Sequence, residues 1–245
     1  MAQGETTLYN TKATMSGHSK WSTIKRKKGI KDQEKGKIFS KLSKMITISV
    51  IEGGGFADPE INIKLRMAVE KAKAANMPKD NIARAIEKAA GPEKNQLKEV
   101  VYEGFGPEGM ALIIVATTDN PNRTISEVRN TLEKMGGKLG SQGSVAYLFH
   151  KCGSVVFNRV ENSEEKILAF GDEVGAFDVE EDPESTTLYF PFENMGKIRS
   201  MAAEIEYKPT SPIVVTDEAK EQRIFKIIEA VEGLDDVQKV FVNTI

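Results

Sequence analysis

One cysteine, Cys152, in a chain of 245 residues excludes an internal disulfide and fits a reducing compartment. Histidine is almost as scarce, with only His18 and His150, and the HExxH and CxxC spellings are absent, which removes the usual zinc spacings. Nowhere do about 18 apolar residues follow one another, so no helical membrane span is expected. The opening MAQGETTLYNTKAT lacks the charged-then-apolar layout of a signal peptide, and one Lys without Arg makes a poor transit peptide. A cytoplasmic location is therefore expected. No Ser, His and Asp set is placed for acyl transfer, and neither a cofactor nor a metal is expected. Cys152 reads as a buried apolar filler rather than a nucleophile, because nearby His150 has no orienting partner.

What the chain does have is charge, unevenly distributed. Residues 16–50 carry ten Lys and Arg against Asp32 and Glu34, a surplus of eight on a chain whose total is −2. Residues 160–245 hold 20 acids and 8 bases, a net −12. A cationic head on an acidic body points to a polyanionic partner such as nucleic acid. The acidic rear should repel nucleic acid and face solvent, a protein partner or the basic head itself. Its densest run, Asp178 to Asp182, lacks the glycine-punctuated spacing of a calcium loop and reads as a solvated hairpin tip.

Apolar content of 40% and a mean hydropathy of −0.35 suit a soluble protein of two or three domains. Residues 1–15 are polar and aperiodic and read as a flexible extension, with Met15 a plausible alternative start. From Asp32, Ile38, Leu42, Met45 and Ile46 recur at helical spacing, with Lys37, Lys41 and Lys44 on a neighbouring face. A solvated face is the ordinary meaning of such a row. Here it adjoins Lys25-Arg26-Lys27-Lys28 beside Trp21, which would make one cationic surface with the helix. The apolar face is unremarkable for a lipid anchor. Gly53-Gly54-Gly55 ends this helix. Asp58 then reads as the cap of a second, with Pro59 at its first position, and Pro78 with Asp80 opens a third. Residues 16–93 thus read as a three-helix domain.

At Glu99 the period falls to about two. Strands 100–105 and 110–116 are joined by a turn spelling Gly104-x-Gly106-x-x-Gly109. That is the dinucleotide-binding spelling, but it joins strand to strand and reads as a hairpin. A helix follows from about 121 to 135, then Gly137-Lys138-Leu139-Gly140, which matches the GXXG of KH domains without the second helix they require. A strand is expected over 144–149. From 153 the order is strand 154–159, helix 162–171, strands 176–179 and 186–190, helix 194–206 and strand 213–215. This βαββαβ order is the ferredoxin-like unit. The leftover helix 217–232 and strand 237–242 bury little alone, and segment 99–149 lacks such a pair. The fold class is therefore α+β and multidomain: an N-terminal three-helix domain and two α/β sandwiches, a ferredoxin-like one (153–215) inserted in a discontinuous one (94–152 plus 216–245).

Gly17-His18-Ser19-Lys20-Trp21, Ile24-Lys25 and Lys35-Gly36-Lys37-Ile38-Phe39-Ser40-Lys41-Leu42 closely resemble the opening of the YebC/PmpR family, described as probable transcriptional regulators. Three later stretches resemble it too: 74–82, Tyr102 to Pro107, and Thr118 through Gly140. The resemblance covers nearly everything from residue 16 onward; a slightly longer glycine linker at Gly55-Phe56 and residues 1–15 depart from it. It implies a three-domain cytoplasmic protein without catalytic activity. Family members are described as DNA-binding regulators, and others, including a mitochondrial relative, as translational activators acting on ribosomes at proline-rich stretches.

Two functions follow. In the first, Lys20, Lys25, Arg26, Lys27, Lys28 and Lys31 contact DNA phosphates, Trp21 packs or stacks, and the helix with Lys37, Lys41 and Lys44 lies along a groove. In the second, the same residues meet ribosomal RNA while the α/β domains reach neighbouring protein. An enzyme working between the α/β domains is a third reading, supported by domain count alone.

Overall fold

The helical period that begins at Asp32 has nothing to interrupt it until three glycines. In the computed structural model, which describes residues 32–89, 97–198 and 203–245, helix α1 accordingly runs Asp32–Glu52. It ends where Gly54 and Gly55 adopt φ of 78° and 83°, conformations open to glycine at little cost, with the Gly55 amide donating to the Val50 carbonyl at 2.9 Å. Helix α2 spans Ile63–Ala74 and α3 spans Lys79–Lys88. Between them Asn76, at φ 58°, lets the Met77 amide return to the Ala72 carbonyl at 2.9 Å. Leu42, Ile46 and Val50 of α1 meet Leu65, Ala68 and Val69 of α2 and Ile82 and Ala85 of α3 in one core.

The cap of α2 differs from expectation. Asp58 accepts a hydrogen bond from the Glu60 amide at 2.9 Å and makes a local turn. The helix begins four residues later, with the Asn62 side chain accepting from the Leu65 amide at 3.0 Å.

Strands β1 (Lys98–Phe105) and β2 (Ala111–Thr118) form the expected antiparallel hairpin, joined by a 3-10 turn, Pro107–Gly109. The glycine-rich spelling thus joins strand to strand. Helix α4, Pro121–Lys134, follows with its N-cap at Asn120. The Gly137–Gly140 stretch holds strand β3, Lys138–Leu139, paired with β1 at Gly104 and Phe105. A Cβ on Gly137 would lie 2.6 Å from the Phe105 carbonyl oxygen, so glycine here serves close strand packing. The expected strand over 144–149 is instead a 3-10 turn, Ala146–Leu148, leading into β4, Phe149–Asn158.

Helix α5 (Glu164–Val174), β5 (Asp178–Glu181) and β6 (Ser185–Pro191) follow. The helix expected over 194–206 is a 3-10 turn, Phe192–Lys197, and then strand β7, Ala203–Pro209. Met201 and Ala202 of that reading lie outside the described residues. What wins is period two: Ala203 and Ile205 enter the core with Val155 and Phe190, while β7 pairs with β4 from Phe149–Pro209 to Val155–Ala203. The strand expected over 213–215 is a single parallel bridge from Ile213 to Thr244. The sheet order β5-β6-β4-β7 is ferredoxin-like, with the second helix shortened to a turn.

Helix α6, Glu218–Glu232, and strand β8, Val237–Val242, close the chain. β8 pairs with β2, completing the first sheet as β3-β1-β2-β8. Leu112, Ile114 and Ala116 of β2 face α4 and α6, while Ala111 and Ile113 pack against Val145, Phe149 and Phe241 on the other side. Burial on both faces explains why β2 reads as an unbroken apolar run. The architecture is α+β: a helical domain, then two α/β sandwiches with the ferredoxin-like one inserted in the other.

Candidate nucleic-acid interface

Lysines at 37, 41 and 44 fall on one side of α1 because spacings of three and four return to the same face of a helix. Lys37 is exposed, whereas Lys41 and Lys44 are half-buried. Their ammonium groups reach the segment between α6 and β8: Lys41 donates to the Glu232 carbonyl, and Lys44 donates to the Asp236 carboxylate at 2.6 Å and the Asp235 carbonyl at 3.2 Å. Lys20, Trp21, Lys25, Arg26, Lys27, Lys28 and Lys31 lie outside the described residues. Of the residues expected to bind polyanions, the structure therefore brings together Lys37, Lys41 and Lys44, and it sets the last two against the chain's own rear half.

Asp236 is the residue the sequence did not single out. Only 2% exposed, it accepts hydrogen bonds from Lys44, from Arg123 at 2.7 Å, from Thr124 Oγ1 at 2.7 Å and from Thr118 Oγ1 at 3.1 Å. Burial alone would push its carboxyl up; the bonds from Lys44, Arg123 and Thr124 outweigh burial and hold it well below the usual range. Nothing local in Gly-Leu-Asp-Asp marks it, since its partners come from α1, β2 and α4. Arg84 and Lys88 of α3 were also missed, although Asn81, Arg84 and Lys88 recur at helical spacing and line a polar groove against α1.

A second charged cluster lies where the three domains meet. Lys239 of β8 donates to Glu204 at 2.7 Å and Glu206 at 2.6 Å, both on β7, and Lys71 of α2 lies 2.9 Å from Glu204. Burial alone would push the Lys239 ammonium down, but the two carboxylates hold it above its ordinary value. Lys239, with Lys71 beside it, holds Glu204 well below the usual range, while burial pushes Glu206 up against the pull of Lys239. A crevice of about 140 Å³ opens beside the cluster, floored by Met45, Ile48 and Phe241. Its charges answer one another, as a fastening requires.

The remaining reactive residues are occupied structurally. Burial, with Glu206 nearby, pushes the fully buried Cys152 thiol up to about 12, which leaves it inert at neutral pH. The His150 ring stands edge-on to Phe177 at 5.4 Å. Within the acidic run, Glu180 is buried rather than solvated, accepting from Tyr189 Oη at 3.0 Å and from Lys208. Among the described residues no group of three or more His, Cys, Asp or Glu side chains is placed to hold a metal ion, and no helix is long and apolar enough to cross a membrane.

Two family models match the chain: "TACO1/YebC protein N-terminal domain" over residues 19–92 and "TACO1/YebC second and third domain" over residues 97–244. The chain is 44% identical over 239 residues to a "Probable transcriptional regulatory protein" of Aquifex aeolicus, covering 94% of this chain and 95% of that one. A protein of the same description from Finegoldia magna is 41% identical over 239 residues, covering 94% and 98%. The crystal structure of a conserved hypothetical protein from Aquifex aeolicus, Aq1575, is similar with a TM-score of 0.76 at 42% identity, covering 87% of this chain and 91% of that one.

Proposed function

The chain belongs to the TACO1/YebC family, and from that premise we propose that it is a non-enzymatic, cytoplasmic, DNA-binding transcriptional regulator that acts through its basic N-terminal domain. The relatives' printed description supports regulation of transcription. The observation that carries the mode of action is the segregation of charge: ten Lys and Arg against two acids over residues 16–50, and a net −12 over 160–245. Lys25, Arg26, Lys27, Lys28 and Lys31 hold phosphates, joined by the exposed Lys37 of α1, with Lys20 and Trp21 beside them. The acidic rear half is the surface for a protein partner.

A second reading has one observation in its favour. Base readout draws on Arg, Asn and Gln, and the head's Arg and Gln are only Arg26 and Gln33. A weak reader of sequence fits a ribosome-associated translation factor that contacts ribosomal RNA and relieves stalling at proline-rich stretches.

A salt titration tests the shared premise. If about five phosphates are neutralised, log K for duplex DNA falls against log salt with a slope of about −4 to −5, and a flat response removes the reading. Changing Lys25, Arg26, Lys27 and Lys28 together to Ala separates the targets. Lost promoter binding with unchanged ribosome co-sedimentation selects the first reading, and the reverse selects the second.

A further inference from the structure

We propose that the crevice where the three domains meet binds a small neutral aromatic molecule, one ring in size and carrying one hydrogen-bond acceptor for the Gln238 side-chain amide. Such a site stands apart from the nucleic-acid reading, since among the described lining residues none is a residue expected to hold phosphate.

Gln238 reaches the crevice because β8 breaks its alternation. Val240 and Val242 enter the core shared with α4 and α6, while Phe241 packs on the other side of the sheet. Continued at strand period, that alternation would send Gln238 with Val240 into the apolar core. Instead the pairing with β2 shifts from Val115–Lys239 to Ala116–Val237, which makes Gln238 the extra residue of a β-bulge. Gln238 and Lys239, neighbours in sequence, therefore both line the crevice; re-aiming a side chain beside a site is a recurrent use of bulges. Gln238 Nε2 is buried there and has no hydrogen-bond partner among the described residues. A buried donor without an acceptor is costly, and an acceptor on a bound molecule removes that cost.

Volume, walls and charge define the rest of the ligand. The space of about 140 Å³ compares with about 150 Å³ for an apolar cavity that takes up benzene. It falls short of the roughly 300 Å³ at which drug-sized sites begin. Ile48 and Val115 supply aliphatic wall, and Tyr207 and Phe241, with centroids 5.1 Å apart, supply aromatic wall. Met45 and Met67 add two thioethers, and sulfur–aromatic contact favours a ring over an aliphatic chain of equal volume. The lysines of the lining are already engaged. Lys71 and Lys239 pair with Glu204, Lys64 pairs with Glu52, and the Lys151 ammonium lies 4.5 Å from the Phe192 ring centroid. The remaining charged lining residue, Glu99, is a carboxylate and repels an anion, while the four lysines disfavour a cation. A neutral molecule is what the lining accepts.

The test uses the full chain with isotope-labelled methionine methyl groups and two probes of equal size, titrated at mildly alkaline pH. Pyridine, uncharged there, offers an acceptor; benzene offers none. Both should shift the Met45 and Met67 methyl resonances saturably, while Met110, in the core on the far side of β2, stays unmoved. Gln238→Met keeps the length of the side chain and removes the donor. It should lower the ratio of pyridine affinity to benzene affinity by about threefold to tenfold, the worth of one hydrogen bond. Because it also removes an unsatisfied buried donor, the variant should fold at least as well as wild type. Benzoate, a ring with a negative charge added, should bind at least about tenfold more weakly than pyridine. Saturable shifts in wild type, with the ratio lowered in Gln238→Met, support the site. Shifts at Met45 and Met67 that fail to saturate with either probe in wild type overturn it. So does an unchanged ratio in Gln238→Met, or benzoate binding as tightly as pyridine.

Discussion

Asp236 shows how one side chain can define the relation between two domains. Its carboxylate is buried, so each charge-assisted bond from Lys44 and Arg123 offsets a desolvation cost that a surface pair would not carry. Asp236→Asn keeps the shape, loses the charge, and turns one acceptor oxygen into a donor facing Arg123, Lys44 or the threonines. A cost of about 2–3 kcal/mol is expected. Because the folded carboxyl is held below its ordinary value, its contribution is fully present above the unfolded pKa of about 3.9 and is lost as pH falls through the folded value. Urea midpoints for wild type and Asp236→Asn should therefore differ at pH 7 and converge only in strong acid. A difference that stays constant down to pH 2 would show that the charge is not the cause. This role was not legible in the sequence: the lysine row announces itself by periodicity, but a carboxylate 192 positions from Lys44 is selected by packing alone.

Elements were read well where one period dominated and poorly where two competed. Helix α1 runs from the expected Asp32 to the glycines because its apolar residues keep a 3.6 period throughout. Segment 194–206 offered Ile198, Met201, Ala202 and Ile205 at helical spacing, and also Ala203, Ile205 and Tyr207 at strand spacing. The free edge of β4 and the counter-ion Lys239 for Glu204 and Glu206 decided for the strand. The α1–α2 connection presented two acceptable caps, and Asn62 won over Asp58 because an amide can also donate. Its Nδ2 bonds the Ser49 carbonyl and the Phe56 carbonyl, each at 2.9 Å, answering a carbonyl at the end of α1 while its oxygen starts α2. Asn62→Ala should cost about 2–3 kcal/mol, more than the roughly 1 kcal/mol of an ordinary cap. Asn62→Asp should recover only the capping share, since it cannot donate. Chemical denaturation of wild type and the two variants checks the order, and an Asn62→Asp stability equal to wild type would mean that the two donated bonds contribute nothing.

For the whole molecule, the inserted arrangement was legible by elimination, because neither 99–149 nor 216–245 makes a buried sheet alone and together they do. How the three domains fasten to one another was not legible, because it depends on long side chains meeting across surfaces. Lys44 ties the helical domain to the first sandwich, Lys71 and Arg66 tie it to the second, and Lys239 joins the two sandwiches. Lys239 is thus the cation whose removal reaches furthest. Lys239→Met leaves Glu204 with Lys71 and takes from buried Glu206 the ammonium that donates to it at 2.6 Å, so a loss of about 2–4 kcal/mol is expected. Adding Glu206→Gln should restore part of it by removing a buried carboxylate that has lost this cation. The folded ammonium titrates above its ordinary value, so its contribution is complete below about pH 10.4 and declines only as pH rises through the folded value. Urea midpoints should therefore rank wild type above the double variant and the double variant above Lys239→Met at pH 7, with the gaps narrowing only in strong alkali. A Lys239→Met midpoint equal to wild type at pH 7 would mean that the sandwiches are held together by apolar contact alone, Tyr207 against Phe241 at 5.1 Å being the nearest aromatic pair.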